Sequence, residues 1–374
     1  MSSQPKTRVA VLFGGRSAEH DISCASAAGI VSHLNRGRYE VTPVRIDTNG
    51  AWTIGTNEPA PAGVDTSTLM HMTRDRLWPR PTVPESMWSA LSHLRDAVDV
   101  AFPALHGRYG EDGALQSVLE LFGIPYVGSG VLASAAGIDK ELTKKLLSGA
   151  GLTVADGVVL HGPEDNVNPA CRERLGLPVF VKPAREGSSV GVSKVDDWAQ
   201  LDEALITARK SDSKVLVEAA VPGREVDVAV LQYPDGRVAA GPPLEIRVSG
   251  QHSYFDFDAK YHDKQTVFDI PANLPEPVTA LLQAQAVEVF HILCCSGLLR
   301  VDFFLHTEGG IEEAMPVVNE VNTMPGFTAM SQYPRIWDAA GLTYPALLDV
   351  LIDTALASHP ERIARCPARE TRRR

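Results

Sequence analysis

A lysine and a loop of glycines and serines lie close together in the segment from Pro178 to Val195. A predicted strand carries Lys182, and the loop from Gly187 to Gly191 follows within a few residues. Glycines let backbone N–H groups approach phosphate oxygens, the hydroxyls of Ser188 and Ser189 add donors, and the lysine supplies a compact positive charge. Because the lysine precedes the loop, the segment is not a Walker motif. It predicts a site for nucleotide phosphates, with an ordinary hairpin turn as the alternative.

Three oxygen-bearing side chains further along the chain could hold a metal ion. Asp302 lies on one predicted strand, while Glu320 and Asn322 lie two residues apart on another and therefore share one face of it. Such oxygen ligands suit Mg²⁺, which keeps coordination positions for water and phosphate. The alternative is that Glu320 and Asn322 only form the polar face of an edge strand.

A break between two valine-rich strands carries a weaker signal. Glu218 and Glu225 flank Pro222 and Gly223, where free backbone groups could pair with a purine and a carboxylate could bind ribose. The alternative is an ordinary half-buried strand in which valine alternates with glutamate.

Polar residues also follow an earlier predicted strand. His106 closes that strand, and Glu111 and Asp112 precede a helix whose free N–H groups favour an anion. The alternative is that both acids simply start the helix. The glycine turn at residues 14–15 lacks the GxGxxG spacing, which disfavours dinucleotide binding there.

Strands and helices must position these residues. A strand at 9–13, a glycine turn and a helix at 18–34 open the chain as an α/β unit, and a strand follows at 39–46. Further strands are predicted at 98–105, 154–160, 178–183, 214–221, 224–232, 299–306 and 316–321, those between 154 and 232 in one small α+β module. Further helices are predicted at 113–122, 139–150, 196–209, 277–295 and 344–357. Residues 58–84 are predicted as loop or weak helix, and 251–271 as a long functional or disordered loop.

Composition and charge exclude several classes of protein. The chain has 374 residues, 44% of them hydrophobic and 22% charged, proportions typical of a globular protein of two or three domains. Its 35 basic and 46 acidic residues give a net charge of −11, which disfavours nucleic acid as a partner. With no secretory signal and no apolar run near ~18 residues, no membrane partner is expected. Five scattered cysteines favour a reduced, cytoplasmic protein.

Seven runs of sequence join the separate signals. They are GGRSAEHDIS, LHGRYGEDGALQ, PYVGSGVLASAAGIDKELTKKLL, VKPAREGSSVGVSKV, YFDFDAKY, RVDFF and NEVNTMPGFTAMSQYP, and they are spread along the chain between about Val9 and about Leu351. In this order they resemble the D-alanine–D-alanine ligase family, ATP-grasp enzymes of peptidoglycan precursor synthesis. The resemblance implies an α/β fold class, with a Rossmann-like N-terminal domain and an ATP-grasp fold whose central lobe is α+β.

The resemblance also implies a division into domains. Residues 1–138 would form the Rossmann-like substrate domain and residues 139–233 the small central lobe of the ATP-grasp fold. Residues 234–360 would form the C-terminal lobe with the metal site and a lid loop. Residues 361–374 hold six arginines and lack an apolar face, so they are expected to be a disordered tail.

The resemblance implies binding of ATP and two Mg²⁺ (or Mn²⁺) ions. Lys140 and Lys182 would hold the phosphates, and the glycine–serine loop would close over them. Asp302, Glu320 and Asn322 would hold the two ions between the β- and γ-phosphates. The residues matched to the ATP site are Lys140, Lys182, Ser189, Glu218, Ala219, Val221, Glu225 and Lys260.

Amino-acid sites are implied in the same way. Glu19 would receive the ammonium of the first D-alanine, and His106 would line the same subsite. Arg300 would stabilise the developing oxyanion. Ser331 and the backbone of Gly326 would meet the carboxylate of the second D-alanine.

A lid is the last implied part. Ser188 and Tyr261 would link with Glu19 and hold the long loop shut, with the segment from Ser253 to Tyr261 as the lid and Lys260 reaching the γ-phosphate. The lid is needed because water would hydrolyse the D-alanyl phosphate intermediate before a second D-alanine attacked it. The implied partners are ATP and two D-alanine molecules, and the implied assembly is a homodimer.

Tyr261 bears on the acceptor, because family members that make a D-alanyl-D-lactate ester lack it, so D-alanine is expected in preference to D-lactate. Leu299 and Met324 depart from the family pattern, and both are expected to touch the second-substrate side. Two other functions stay open: another ATP-grasp ligase joining a different carboxylate to an amine, and a nucleotide-binding regulatory protein without turnover.

Overall fold

The computed structural model describes residues 5–55, 86–247, 267–307 and 310–363. Tyr261, Lys260 and the rest of the expected lid, the segment 58–84, and the tail beyond residue 363 lie outside the described residues. The strands are β1 Thr7–Gly14, β2 Tyr39–Ile46, β3 Trp52–Ile54, β4 Val100–Pro103, β5 Gly157–Leu160, β6 Val179–Pro183, β7 Ser193–Val195, β8 Val215–Ala219, β9 Arg224–Gln232, β10 Val238–Ala240, β11 Leu244–Arg247, β12 Val267–Asp269, β13 Leu298–His306 and β14 Met315–Asn322. The helices are α1 His20–His33, α2 Met87–Ala97, α3 Ala114–Phe122, α4 Val131–Ile138, α5 Lys140–Gly149, α6 Pro169–Leu175, α7 Leu201–Arg209, α8 Glu276–Ile292, α9 Gln332–Ala339 and α10 Tyr344–Ile363.

The N-terminal sheet has the strand order β3-β2-β1-β4, and β1 pairs in parallel with both β2 and β4. Residues 9–13 of β1 are almost completely buried, as expected for a central parallel strand covered on both faces. The strand ends at Gly14, whose φ of 90° favours glycine. The chain then turns through Gly15 and enters α1 immediately after Glu19.

A second, antiparallel sheet has the order β5-β8-β6-β7. Helix α7 covers one face of it with Leu201, Leu205 and other buried apolar residues. Val179 and Val181 of β6 point into this core. Because side chains alternate along a strand, Phe180 and Lys182 lie on the opposite face.

A third, antiparallel sheet has the order β12-β11-β9-β13-β14, with β10 paired to β9. Leu299, Val301 and Phe303 of β13 pack in a core with residues of α8. Arg300 and Asp302 therefore lie on the other face of the strand.

The sheet that contains β9 corrects the sequence analysis. Residues 224–232 form a strand as predicted, but β9 pairs with β11 and β13 of the third sheet instead of joining the small module. Residues 224–232 are as rich in valine as their neighbours in the chain, and this likeness is the reason for the incorrect prediction. At the break after β8, Gly223 has a φ of 150° and its backbone lies against Leu305, where the chain passes to the other sheet. The domain boundary at residue 233 remains a prediction.

The last helix is longer than predicted, since α10 continues to Ile363, three residues into the expected tail. Within the described residues no single helix has both the length and the apolar character to cross a membrane. The pair Gln332–Ala339 and Tyr344–Ser358 meets both criteria together, although a bend of 104° separates the two helices.

Candidate active site

A cavity of about 550 Å³ is lined by the second and third sheets. This volume lies in the range of small-molecule and cofactor sites. The structure brings ten of the predicted site residues to its walls: Lys140, Lys182, Ser189, Glu218, Ala219, Val221, Glu225, Arg300, Asp302 and Glu320. Its apolar walls include Phe180, Val192, Ile246 and Phe304.

The register of β6 and β8 places two of these residues together. Phe180 pairs with Glu218, so Lys182, two residues further along β6, projects from the same face. Lys182 Nζ lies 2.5 Å from Glu218 Oε2 and 3.3 Å from Asn319 Oδ1. The Glu218 carboxylate also lies 2.8 Å from Lys144 Nζ, a contact that the sequence analysis did not predict.

The glycine–serine loop connects β6 to its hairpin partner β7, so it is both a hairpin connection and a wall of the cavity. Ser188 and Ser189 have φ values of 49° and 58°, in the left-handed region. Ser189 lines the cavity, whereas Ser188 Oγ donates to Glu19 Oε1. The Lys140 ammonium donates to the carbonyl of Glu186 at 2.7 Å and holds the start of the loop. The loop therefore contacts two predicted subsites at once.

Acidic residues form a row across the third sheet. Asp302 of β13 lies directly opposite Asp227 of β9 on one side and Glu320 of β14 on the other. Arg300 donates two hydrogen bonds to Asp302, at 2.7 and 2.8 Å, and lies 3.4 Å from Asp227. Burial alone would lower the pKa of the Arg300 guanidinium, but Asp302 and Asp227 outweigh it and raise the pKa. Arg300 is therefore a fixed positive charge in the wall of the cavity.

The three predicted metal ligands meet at this row. Asn322 Nδ2 donates to Asp302 at 3.0 Å, and Glu320 Oε2 lies 3.4 Å from Lys140 Nζ. Two carboxylates and an amide oxygen on neighbouring strands are a donor set that suits hard divalent cations such as Mg²⁺. The described part of the chain holds no cluster of three His, Cys, Asp or Glu side chains arranged for a metal. The residues fit a divalent ion by the chemistry of their donors.

Glu19 and His106 lie next to each other, as the sequence analysis expected. A Cβ at Gly107 would stand 2.6 Å from Glu19 Oε2, and the φ of 69° at this position favours glycine. His106 is buried, with Nε2 2.9 Å from Ser26 Oγ and Nδ1 2.9 Å from the Met324 carbonyl. Burial lowers the pKa of His106, although Glu19 opposes this. A neutral His106 therefore fixes the loop that faces Glu19.

The two acids at residues 111–112 have different roles. Asp112 accepts from the N–H of Ala114 at 3.0 Å and supports the start of α3, as the structural alternative predicted. Glu111 instead accepts from the N–H groups of Gly107 at 2.8 Å and Met324 at 2.9 Å. Burial, with a contribution from Glu19, raises the pKa of Glu111 to about 8. Glu111 thus ties together two loops that are far apart in the chain.

The expected site for the second carboxylate lies beside Arg300. Gly326 and Ser331 are adjacent, since a Cβ at Gly326 would stand 3.2 Å from Ser331 Oγ. Ser331 Oγ accepts from the N–H of Thr328 at 3.0 Å. The next residue, Gln332, accepts from the Arg300 guanidinium at 3.2 Å and lines the cavity.

Leu299 and Met324, which depart from the family pattern, have side chains that point away from this site. Leu299 is completely buried in the core beneath α8, so the expectation that its side chain touches the second-substrate side is wrong. The Met324 side chain is also buried in a core, and only its backbone binds Glu111 and His106.

Sequence reasoning missed several polar residues of the site. Asp227 lies two residues after Glu225 on β9, so the rule of alternation could have placed both on one face. Asn319 and Gln332 had no signal beyond their neighbours. Lys144 lies one helical turn after Lys140 on α5, and that i,i+4 spacing was the available signal.

Comparison with known proteins gives matches along most of the chain. The family model described as D-ala D-ala ligase N-terminus matches residues 8–129, and the one described as D-ala D-ala ligase C-terminus matches residues 146–353. The D-alanine–D-alanine ligase of Rhodococcus opacus is 48% identical over 367 residues, covering 95% of this chain and 98% of that protein.

Two solved ligase structures are also similar to this chain, in sequence and in fold. The Bacillus anthracis D-alanine–D-alanine ligase complexed with ATP is 29% identical, with a TM-score of 0.72 over 95% of this chain and 99% of the other. The VanG D-Ala:D-Ser ligase of Enterococcus faecalis is 33% identical, with a TM-score of 0.76 over 94% of this chain and 100% of the other. These likenesses confirm the expected fold class, an α/β chain with the ATP-grasp fold.

Proposed function

The chain belongs to the D-alanine–D-alanine ligase family, and from this premise we propose that it joins two D-alanine molecules to D-alanyl-D-alanine for peptidoglycan precursor synthesis, with conversion of ATP to ADP and phosphate. The observation that carries the proposal is the cavity of about 550 Å³, because basic side chains and apolar walls line the same space. Lys140, Lys182 and Arg300 suit the phosphates of a nucleotide, and Phe180 and Phe304 suit its flat base.

The proposed reaction has two steps. A carboxylate oxygen of the first D-alanine attacks the γ-phosphorus of ATP, giving D-alanyl phosphate and ADP. The amine of the second D-alanine, having lost a proton, attacks the acyl carbon, and phosphate leaves from the tetrahedral intermediate. Phosphoryl transfer depends mainly on positioning and on neutralising charge.

The residues take the following roles in this proposal. Lys140, Lys182 and Ser189 bind the phosphates of ATP. Glu19 binds the ammonium group of the first D-alanine, next to the buried His106. The ribose and base are bound by Glu225, Glu218 and the backbone at Ala219 and Val221.

The second step takes place beside Arg300 in this proposal. Arg300 faces the oxyanion, and its hydrogen bond to Gln332 places it next to Ser331 and Gly326, which hold the second carboxylate. Ser188 donates to Glu19 in the proposed lid contact. Tyr261 and Lys260, which the resemblance assigns to the same lid, lie outside the described residues.

We propose that Asp302, Glu320 and Asn322 hold Mg²⁺ or Mn²⁺, with two ions in the loaded enzyme. When bound, the ions would neutralise and orient the phosphates. Binding of Mn²⁺, followed by electron paramagnetic resonance without substrates, tests this assignment independently of turnover. Glu320→Gln should weaken Mn²⁺ binding, and equal binding by this variant and the parent protein would reject the assignment.

Release of phosphate from ATP tests the function. The protein should release phosphate only when D-alanine is present, and Lys182→Ala should lower both this activity and the affinity for ATP. Phosphate release with another carboxylate and amine, but not with D-alanine, would favour the other ATP-grasp ligase. ATP binding without any release would favour the regulatory protein.

We also propose that the protein is a cytoplasmic homodimer. Trp88 on α2 and Leu121 on α3 support a dimer, because they lie on neighbouring helices and are 60% and 78% exposed. Light scattering at micromolar concentration should give twice the chain mass of 40.3 kDa. Leu121→Lys should give the single mass, whereas a dimer that survives this change would place the interface elsewhere.

A further inference from the structure

Three charged side chains form a compact cluster behind the phosphate end of the site. Lys144 comes from α5, Lys182 from β6 and Glu218 from β8. The carboxylate lies between the two ammonium groups, with Oε1 2.8 Å from Lys144 Nζ and Oε2 2.5 Å from Lys182 Nζ. The exposed fractions of the side chains are only 9% for Lys144, 11% for Lys182 and 4% for Glu218.

The members of the cluster differ in their access to the cavity. Lys182 and Glu218 line it, while Lys144 contacts Glu218 from the side of α5. Two ammonium groups and one carboxylate leave a net charge of +1. If Lys144 were absent, the buried Glu218 carboxylate would have Lys182 as its partner, and this pair would be neutral. A neutral pair would attract phosphate oxygens less strongly than the cluster of three side chains, which has one positive charge in excess.

We propose that Lys144 is a positioning residue for ATP, which holds the Glu218 carboxylate and thereby leaves the charge of Lys182 available to the phosphates. This inference rests on the proposed function. Lys144 does not touch the nucleotide in this scheme, and it acts through Glu218. A buried ion pair by itself is weak support for a role in stability, since apolar residues of similar size often replace such pairs without loss.

The surroundings of Lys144 determine the pH at which its ammonium group loses its charge. Burial lowers the pKa of Lys144 to about 8, and the neighbouring Lys182 acts in the same direction. Glu218 and the more distant Glu320 oppose this shift. Because the folded-state pKa lies below the ordinary value of 10.5, Lys144 loses its proton as the pH rises through about 8.

Calorimetry with ATP and Mg²⁺, without D-alanine, provides the test. Lys144→Met should weaken ATP binding about tenfold, equivalent to ~1.4 kcal/mol, while the KM for D-alanine changes less than about twofold. Lys144→Arg keeps the charge and should bind ATP about as well as the parent protein. Lys145→Met is the matched control, since Lys145 is 68% exposed on the same helix and pairs with Glu141.

Two further measurements separate positioning from a structural role. Between pH 7 and pH 9 the parent protein should lose affinity for ATP several-fold, whereas Lys144→Arg should lose less. In a Glu218→Gln background, Lys144→Met should have a smaller effect than in the parent, because no carboxylate remains to neutralise Lys182. If Lys144→Met fails to fold, the pH dependence of ATP affinity still compares the parent protein with Lys144→Arg, and equal losses between pH 7 and pH 9 overturn the inference.

The outcomes are distinct. Equal ATP affinity of folded Lys144→Met and the parent protein overturns the inference, and so does an effect of the same size in both backgrounds. A parent protein that releases no phosphate with D-alanine overturns the proposed function, whatever Lys144 does.

Discussion

Ser188 and Ser189 are neighbours in the chain but serve different parts of the site. Ser188 Oγ donates to the Glu19 carboxylate, while Ser189 lines the cavity. A hydrogen bond to a charged group contributes about 1.5–3 kcal/mol. Ser188→Ala should therefore raise the KM for the first D-alanine at least about tenfold, with the KM for ATP nearly unchanged.

The paired variant checks this prediction. Ser189→Ala should raise the KM for ATP and leave the first D-alanine site nearly unchanged, as measured by initial rates of phosphate release at varied substrate concentrations. Equal effects of both variants on both substrates would mean that the loop acts as one unit, against this assignment.

At the residue scale, sequence reasoning grouped residues of one cavity where a motif carries the chemistry, and their roles stay predictions. Lys182, Glu218 and Glu225 were expected near one ligand, and the structure places them around one cavity. It failed for Asp227 and Lys144, whose partners come from distant parts of the chain. The role of a buried charged residue depends on its ion-pair partner, and the sequence alone does not show which residue that partner is.

The connection between β8 and β9 depends on Gly223. An added Cβ would stand 2.1 Å from the Leu305 carbonyl oxygen, at a φ of 150°. Gly223→Ala should therefore lower the free energy of unfolding by about 3 kcal/mol or more, because both backbone strain and a clash must be relieved. Chemical denaturation followed by circular dichroism measures this change.

Gly236 provides the control for that experiment. Its φ of 87° also favours glycine, but an added Cβ would meet nothing within 4 Å. Gly236→Ala should cost only about 1–2 kcal/mol, from backbone strain alone. Similar losses for the two variants would show that the contact with Leu305 relaxes without cost.

Glu111 joins two loops, and its protonation should make the free energy of unfolding depend on pH. Its pKa of about 8 in the folded protein exceeds the ordinary value of 4.5, so the folded protein retains a proton that the unfolded chain releases. Stability should therefore fall as the pH rises from 4.5 towards 8. Thermal unfolding at pH 6 and pH 8 should give a larger decrease for the parent protein than for Glu111→Gln, which has no proton to lose. Equal decreases would show that Glu111 titrates normally.

At the element scale, most strands and helices that the sequence predicted are present, but two relationships between them were not foreseen. The pairing of β9 with β13, and not with its chain neighbour β8, creates the acidic row of Asp227, Asp302 and Glu320. The loop contact made by Glu111 joins residues more than two hundred positions apart, Glu111 and Met324. Local periodicity predicts an element, whereas such pairing is decided by tertiary packing.

For the whole molecule, the net charge of −11 describes the surface and not the site. Lys140, Lys182 and Arg300 gather in the wall of one cavity within this acidic chain. Because acidic side chains such as Glu225, Asp302 and Glu320 line the same cavity, binding of phosphates there depends on where the individual charges lie, which the total charge conceals. The resemblance of nearly the whole sequence to one family supplied the global arrangement that composition could not.

The choice of acceptor depends on the whole site, because the residues assigned to the second substrate come from several segments of the chain. Ser188 donates to Glu19 and Arg300 donates to Gln332, and we propose that these polar groups orient the two amino acids. D-lactate carries a hydroxyl in place of the amine, and Tyr261 is typical of ligases that use an amine. At pH 7, mass spectrometry of the products should therefore give D-alanyl-D-alanine in large excess over D-alanyl-D-lactate from equal concentrations of the two acceptors. Discrimination against D-serine should be weaker, with D-alanine preferred by up to about a hundredfold, because a pocket shaped for a methyl group discriminates poorly against one added hydroxyl. Near-equal yields of dipeptide and ester would contradict the assignment of an amine acceptor.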